Sequence, residues 1–296
     1  MSAGPAGHVT RSTDIPNPET GGRAAPEGLL RRFLRTEDGV TIDAVYDRGA
    51  VVYNDSDDTG MPPAGHPAFV VAHGFTGHAD RPYVRRVAGV LRRYGAVVTF
   101  SFRGHGRSGG LSTVGDREVL DLAAAVRWAR ELGHERVSTV GFSMGGSVVL
   151  RHAAEAGAGV DAVVSVSAPA RWYYRGTAPM RRVHWLITRR EGRLVGRYGL
   201  RTRIDHREWD PVPLSPVESV PLIAPTPLLI VHGDRDGYFP VDHPLMLAEA
   251  TGGHGELWLE RGMGHAENAS SEELLHRIGG WLVSGGRGFP TTPTPP

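Results

Sequence analysis

The sequence predicts an α/β fold with a doubly wound, mostly parallel sheet. Short, nearly continuous apolar runs recur at 69–72, 96–100, 137–140, 160–166, 228–231 and 257–259. Continuous rather than alternating runs are typical of strands covered on both faces, as in a parallel sheet. Helical patterns fit between these runs, and the clearest, at 116–132, has Val119, Leu122, Val126 and Ala129 on one face. With 296 residues, 40% of them hydrophobic, the chain can bury one large core of this kind.

The two ends of the chain show different patterns. Residues 33–46 alternate in hydropathy on either side of Asp38-Gly39, which predicts a β-hairpin. A helix is predicted at 271–283. Residues 1–28 and 285–296 are rich in Pro with Gly or Thr, and we expect both to be disordered. The predicted core therefore comprises 29–167 and 223–284.

An insertion is predicted after the sixth strand, counting the two strands of the hairpin. About sixty residues separate the run ending at Val166 from the run starting at Leu228, more than a strand crossover needs. Residues 168–222 are therefore predicted to form an inserted cap. The segment contains eleven Arg and five acidic residues, a net charge of +6 that leaves −5 for the remainder. Its six large aromatic residues are Trp172, Tyr173, Tyr174, Trp185, Tyr198 and Trp209.

Three interpretations of this inserted segment stay open. Its aromatic side chains could pack on the core while its arginines are solvated. It could instead form a hydrophobic acyl channel with a basic mouth for anionic groups. Its surface could also settle on anionic lipid.

Composition excludes several classes of function. The net charge of +1 gives no global field for nucleic acid, and all 33 basic residues are Arg. The absence of Cys excludes disulfides, thiolate metal sites and a Cys nucleophile. No stretch of 18 apolar residues and no H-E-x-x-H spacing occurs. We expect a cytoplasmic protein with no membrane insertion, nucleic-acid partner, cofactor or metal, and the oligomeric state stays open.

A G-x-S-x-G pentapeptide lies at Gly141-Phe142-Ser143-Met144-Gly145. It falls between a predicted strand at 137–140 and a predicted helix at 147–156 that ends at Gly157. A turn this sharp needs small residues on either side of the serine and exposes the serine hydroxyl. The amides at the start of the following helix favour an oxyanion beside that hydroxyl. Ser143 is therefore the candidate nucleophile.

The loops after the predicted strands supply the partners that such a serine needs, in the order Ser, Asp, His. His265 follows the last strand in a glycine-rich turn and is the candidate base. Asp236 is preferred to Asp234 as the carboxylate, because two further residues let it reach the histidine loop. His73 and His105 are expected to brace their loops, and His243 and His254 are the remaining minor alternatives for the base.

These motifs resemble the α/β-hydrolase superfamily, specifically a capped serine esterase or monoglyceride-lipase-like member. The resemblance rests on HGF at 73–75, RGHGRS at 103–108, GFSMGG at 141–146, HGDRDGYFP at 232–240 and GMGH at 262–265. It implies that Ser143 is the nucleophile, Asp236 the acid and His265 the base. It also implies an oxyanion hole formed by the backbone amides of Phe75 and Met144. One departure is Ser101, where members often have Asp.

The expected function is hydrolysis of carboxylic esters with small or medium acyl chains through an acyl-enzyme intermediate. The substrate is therefore a small-molecule acyl ester. The alternative is a thioesterase or acyltransferase acting on CoA-like or carrier-bound acyl groups, which the basic segment would favour. A non-catalytic binding protein of the same fold is a third interpretation. Fold alone does not choose among these activities.

Overall fold

A computed structural model describes residues 29–50 and 65–286. The strands within these ranges are β1 (Leu29–Arg35), β2 (Thr41–Asp47), β3 (Pro67–Ala72), β4 (Ala96–Phe100), β5 (Arg136–Phe142), β6 (Ala162–Val166), β7 (Leu228–Gly233) and β8 (Gly255–Glu260). They form one sheet in the order β1-β2-β4-β3-β5-β6-β7-β8. β1 and β2 pair antiparallel with each other and β2 with β4, whereas all the other pairs are parallel.

The helices of the described ranges are α1 (Pro82–Leu91), α2 (Glu118–Glu131), α3 (Met144–Ala153), α4 (Ala178–Thr188), α5 (Arg190–Gly199), α6 (Pro216–Ser219), α7 (Asp242–Ala250), α8 (Ala266–Ala269) and α9 (Glu272–Val283). A 3₁₀ turn, Val220–Leu222, follows α6. In these ranges no helix is both long and apolar enough to cross a membrane.

Alternate side chains of the central strands pack on opposite faces of the sheet. Val70 of β3 belongs to the core cluster that contains the buried residues of α2 and α3. Val71 belongs to the cluster that contains those of α1 and α9. This period of two explains why the central strands are apolar throughout, since both of their faces are covered.

The predicted strands and the hairpin are confirmed. Each of the six apolar runs coincides with a strand of the sheet, although residues 160 and 161 precede β6. β1 and β2 flank a turn in which Gly39 has a φ of 81°. The predicted helix at 147–156 is misplaced, since α3 begins at Met144, directly after the serine, and ends at Ala153. The first turn of α3 contains Gly145 and Gly146, and the sequence does not indicate a helix there because glycine is a poor helix former. The predicted disorder at 1–28 and most of the predicted tail lie outside the described residues.

Parallel register brings the carboxyl ends of neighbouring strands to one edge of the sheet. Ala72 is paired with Gly141, Phe142 with Val166, and Val166 lies beside Val231. The loops that follow these strands therefore meet at the same place, as they do in open α/β sheets generally. Four of the helices and turns named above, α4, α5, α6 and the 3₁₀ turn, lie between β6 and β7.

Candidate active site

Ser143 occupies the turn between β5 and α3. Its φ of 52° and ψ of −114° place a non-glycine residue in a sparsely populated region of backbone space. The Ser143 amide donates to Val166 O at 2.8 Å, which fixes the turn to β6. Strain of this kind persists only where the surroundings enforce it, and it is common at functional sites.

The two glycines of the pentapeptide allow the chains around this turn to touch. A Cβ atom on Gly141 would lie 2.2 Å from Gly145 O, and one on Gly145 would lie 2.2 Å from Ala72 O. Both distances are far below van der Waals contact, so neither position can hold a side chain without moving backbone. The sequence pattern therefore has a steric reason in this fold.

The three residues predicted to act together are hydrogen-bonded in series. The Ser143 hydroxyl lies 2.9 Å from His265 Nε2, and His265 Nδ1 lies 2.8 Å from Asp236 Oδ2. The residues come from three loops that are separated by 122 and 29 positions along the chain. In this arrangement Nδ1–H donates to the carboxylate and Nε2 is free to accept the serine proton.

Asp236 is held as a carboxylate by several donors. The amides of Tyr238 and Phe239 donate to its Oδ1 at 2.8 and 3.1 Å. Burial acts to raise the pKa of Asp236, but the bond from His265 and these amides outweigh it, so the pKa lies below its usual value. Asp234 has a structural role instead, because its Oδ1 accepts from the amide of Gly262 and so ties two loops together.

The imidazole of His265 is fixed by packing as well as by hydrogen bonds. The ring of Tyr238 stacks on it with centroids 4.2 Å apart, and Phe239 approaches edge-on at 5.6 Å. The next residue, Ala266, donates its amide to Ser167 Oγ at 3.0 Å. Ser167 directly follows β6, so the histidine loop is anchored to the same sheet edge as Ser143.

His73 and His105 are buried in bracing positions, as expected. Each ring accepts a backbone amide at Nε2, from Phe102 at 3.0 Å and from Thr76 at 3.2 Å. Their Nδ1–H groups then donate to the carbonyl oxygens of Gly74 and Arg103. Burial lowers the pKa of His73 well below its usual value and lowers that of His105 to about 4. Neutral rings in fixed tautomers are suited to holding the loops.

The loop that carries Ser101 is anchored without an aspartate at that position. Ser101 Oγ accepts the amide of Ala79 at 3.1 Å, and its carbonyl accepts the hydroxyl of Ser108 at 2.6 Å. Arg103 in the same loop is buried between two carboxylates, Asp121 at 2.8 Å and Asp38 at 2.7 Å. The Ser101 hydroxyl and the ion pairs of Arg103 therefore anchor this loop in the absence of an aspartate at position 101.

The two amides predicted for the oxyanion hole lack a hydrogen-bond acceptor for different reasons. Met144 is the first residue of α3, where an amide has no acceptor within its own helix. The Phe75 amide makes no hydrogen bond to any part of the chain that the structure describes. Both residues line the same cavity as Ser143 and His265.

Glu267 is a residue of the site that the sequence analysis missed. Its side chain is buried, with 3% of the residue exposed, and its Oε1 accepts the amide of Gly74 at 3.0 Å. A Cβ atom on Gly74 would lie 3.3 Å from both Glu267 carboxyl oxygens and 3.4 Å from Ser143 Cβ, so the carboxyl group flanks the serine. Burial raises the pKa of Glu267. The only sequence signal was an acidic residue two positions after the histidine.

Above these residues lies a cavity of about 970 Å³. Its walls carry aromatic side chains from the core loops and from the 168–222 segment, including Phe75, Trp172, Trp185 and Trp209. Trp172 and Trp209 pack edge to face with ring centroids 5.1 Å apart. Tyr198, which the sequence grouped with these aromatics, points away and is 76% exposed. In the described chain, no cluster of three or more His, Asp or Glu residues could hold a metal ion.

A family model for the alpha/beta hydrolase fold matches residues 67–179. The chain has the α/β-hydrolase fold, and this matched stretch runs from β3 to the start of α4. Solved α/β hydrolases agree over nearly the whole length. Esterase Pf2001 from Pyrococcus furiosus is 25% identical, with a TM-score of 0.65 over 90% of this chain and 95% of that one.

More distant relatives of this α/β-hydrolase-fold chain include GrgF from Penicillium sp. sh18, at 19% identity and a TM-score of 0.64 over 87% of this chain and 98% of that one. Est1E from Butyrivibrio proteoclasticus, solved with ferulic acid bound, is 21% identical, with a TM-score of 0.55 over 86% and 96%. No curated protein matches the chain by sequence. At these identities the likeness is one of fold.

Proposed function

We propose that this protein is a serine hydrolase that cleaves carboxylic esters through an acyl-enzyme intermediate. Ser143 is the nucleophile, His265 the general base and Asp236 the residue that orients the histidine. The observation that carries the proposal is the unbroken series of hydrogen bonds from Ser143 to His265 to Asp236. A serine hydroxyl is a poor nucleophile at neutral pH unless such a base takes its proton.

The reaction follows from these positions. As Ser143 Oγ attacks the ester carbonyl, its proton passes to His265 Nε2, and Asp236 stabilises the imidazolium. The negative charge forms on the carbonyl oxygen, where the amides of Phe75 and Met144 would donate to it. Collapse of the tetrahedral intermediate releases the alcohol, which takes the proton from His265. Water, deprotonated by the same histidine, then releases the acid and restores the serine.

The 168–222 segment is assigned the role of a cap that selects the substrate. Its aromatic side chains line the cavity with those of the core, which favours an ester with an apolar acyl part. The cavity of about 970 Å³ has room for a small or medium acyl chain and a leaving alcohol. Because Est1E binds ferulic acid and this cavity is rich in aromatic residues, an aryl acyl group belongs in the substrate panel.

A second candidate function, hydrolysis or transfer of CoA-like thioesters, is favoured by one arginine side chain of the cavity. Five arginines line the cavity: Arg171, Arg175, Arg182, Arg193 and Arg207. Arg171 and Arg207 are paired with Asp242 and Asp205, and Arg193 donates to backbone carbonyls. Arg175 donates to His184 at 3.3 Å. The Arg182 side chain makes no ion pair or hydrogen bond within the described ranges and could receive an anionic group of a substrate.

Labelling with a fluorophosphonate, followed by peptide mapping, tests the proposed chemistry. We expect one adduct, on Ser143, that does not form in Ser143→Ala. A series of p-nitrophenyl esters from acetate to palmitate, with p-nitrophenyl ferulate and an acyl-CoA added, then ranks substrates by kcat/KM. A maximum at short or medium chains supports the esterase proposal, whereas a higher value for acyl-CoA that Arg182→Gln lowers supports the second candidate. An adduct elsewhere, or none, contradicts the proposal.

A further inference from the structure

Helix α5 packs on the protein through its glycines. Gly192 and Gly196, four positions apart, are its two buried residues. A Cβ atom on Gly192 would lie 2.4 Å from the carbonyl oxygen of Trp185 in α4, and one on Gly196 would lie 3.2 Å from a side-chain carbon of Ile204. Residues four apart lie on one side of a helix, so this glycine side faces the protein.

The opposite side of α5 exposes apolar residues that a helix of a globular protein ordinarily buries. Leu194, Val195 and Tyr198 are 56%, 49% and 76% exposed. At 100° per residue, Leu194 lies opposite the midpoint between Gly192 and Gly196, and Tyr198 lies about 40° from Leu194 on the same half of the helix. Val195 lies about 80° from the glycine midpoint, at the border between the two halves. The usual arrangement, with an apolar stripe turned inward, is therefore reversed.

Positive charge borders these apolar residues. Arg190 and Arg197 are exposed on the same half of the helix, and neither forms an ion pair with any residue that the structure describes. The Arg197 guanidinium lies 5.6 Å from the centre of the Tyr198 ring, so charge and apolar surface are contiguous. We call Arg190, Leu194, Arg197 and Tyr198 the outward face of α5.

We propose that the outward face of α5 docks this protein on an anionic lipid surface. The side chains of Leu194 and Tyr198 would enter the boundary between headgroups and acyl chains, while the two arginines bind lipid phosphates. The net charge of +6 on the 168–222 segment adds a longer-range attraction. A second copy of the chain is a poorer partner, because this half of the helix, counting the exposed Glu191 with the two arginines, has a net charge of +1 that a two-fold contact would bring against itself.

Docking in this orientation would hold the cavity close to the lipid surface. Arg193 and Leu200, within and just after α5, both line the cavity, so the outward face and the cavity are built on one helix. The association is peripheral, because α5 has ten residues and lies flat on the boundary rather than crossing it. This inference goes beyond the proposed function and does not depend on it, since binding is measured without substrate.

Vesicle co-sedimentation of the full chain tests the proposal directly. The probes are vesicles of phosphatidylcholine alone and of phosphatidylcholine with about one third phosphatidylglycerol, at low salt and at about 0.5 M NaCl. We expect binding to the anionic vesicles that is at least about tenfold stronger than to the neutral ones, and that salt weakens. Arg190→Gln/Arg197→Gln should reduce binding roughly tenfold or more. Arg32→Gln/Arg261→Gln makes the same charge change at exposed sites outside the segment and should reduce it far less.

A second pair of variants tests the apolar residues of the outward face. Leu194→Ser/Tyr198→Ser should weaken binding to anionic vesicles at least about tenfold, because two side chains lose their burial in lipid. Leu245→Ser on α7 removes a leucine of nearly equal exposure, 53%, and should leave binding unchanged. The proposal is overturned if the wild type does not bind anionic vesicles, or if Leu194→Ser/Tyr198→Ser binds them as well as the wild type and Leu245→Ser do. A concentration-dependent dimer that Leu194→Ser/Tyr198→Ser dissociates would also overturn it, in favour of a second copy on this face.

Discussion

Helices α3 and α5 are both ten residues long and both bury glycines, yet they serve opposite purposes. In α3 the buried Gly145 and Gly146 bring the helix onto the sheet, and Val148, Val149 and Leu150 are buried with them. In α5 only the glycines are buried, while Leu194, Val195 and Tyr198 are exposed. Close packing therefore fixes the turn of the proposed nucleophile at the start of α3, whereas in α5 it leaves apolar side chains exposed on the opposite side of the helix.

The largest contrast is expected between two aspartates near the α3 site. Asp236→Asn should lower kcat by about 10⁴-fold, because the amide no longer holds His265 in the tautomer that accepts the serine proton. Asp234→Asn should cost under about tenfold, because Asp234 only caps the amide of Gly262. Ester hydrolysis by the purified, folded variants measures both effects. The reverse ranking would show that the wrong carboxylate is assigned.

A second contrast compares the glycines themselves. Gly145→Ala should destabilise the protein by about 3 kcal/mol, since its Cβ atom would meet Ala72 O at 2.2 Å. Gly199→Ala, at the end of α5, has Val195 Cγ1 at 4.0 Å as its nearest neighbour and should change stability by less than about 1 kcal/mol. Urea denaturation of the two variants tests this. Equal losses would contradict the open space that the structure gives Gly199.

Two substitutions of Glu267 should have smaller effects on activity, and together they distinguish the role of its hydrogen bond from the role of its charge. Glu267→Leu leaves the Gly74 amide without its acceptor, at a cost of about 1–3 kcal/mol in stability, and should lower kcat more than it changes KM. Glu267→Gln keeps an acceptor of the same length and should remain within about threefold of wild-type kcat. Glu208→Leu, an exposed glutamate of the 168–222 segment that also lines the cavity, is the control and should leave kcat unchanged.

Glu267 should also make stability depend on pH. Because burial raises its pKa in the folded protein, the folded state holds this proton more tightly than the unfolded state does. Its contribution to stability is therefore full below the ordinary pKa of glutamate and is lost as the pH rises through the raised pKa. The free energy of unfolding of the wild type should fall relative to Glu267→Gln over that range. A difference that does not vary with pH would contradict this assignment.

The fold was predictable from the sequence because buried parallel strands leave a simple mark. Continuous apolar runs located every central strand, and the loops after them carried the Ser, Asp and His residues in order. The start of α3 was misplaced because Gly145 and Gly146 are typical of a loop, while in this fold they allow close approach to Ala72 and Ala168. Glu267 could not be found, since its importance comes from Gly74, 193 positions away.

The 168–222 segment was the least predictable region for a related reason. Hydrophobic periodicity assumes that the apolar side of a helix faces the protein, and in α5 that assumption fails. Only the steric fit of Gly192 and Gly196 decides which side of this helix is buried, and steric fit depends on residues elsewhere in the chain. The aromatics of the segment likewise divide between the cavity and the exposed surface.

The central claim is that Ser143 and His265 act as one unit, and a double-mutant comparison tests it most directly. The measurement is kcat/KM on the best p-nitrophenyl ester for Ser143→Ala, His265→Ala and the variant that carries both changes. We expect each single change to lower kcat/KM by at least ~10⁴-fold and the combination to add less than about tenfold, because either loss already disables proton transfer. Retention of more than a tenth of wild-type activity in Ser143→Ala, or losses that multiply in the double variant, would contradict the account.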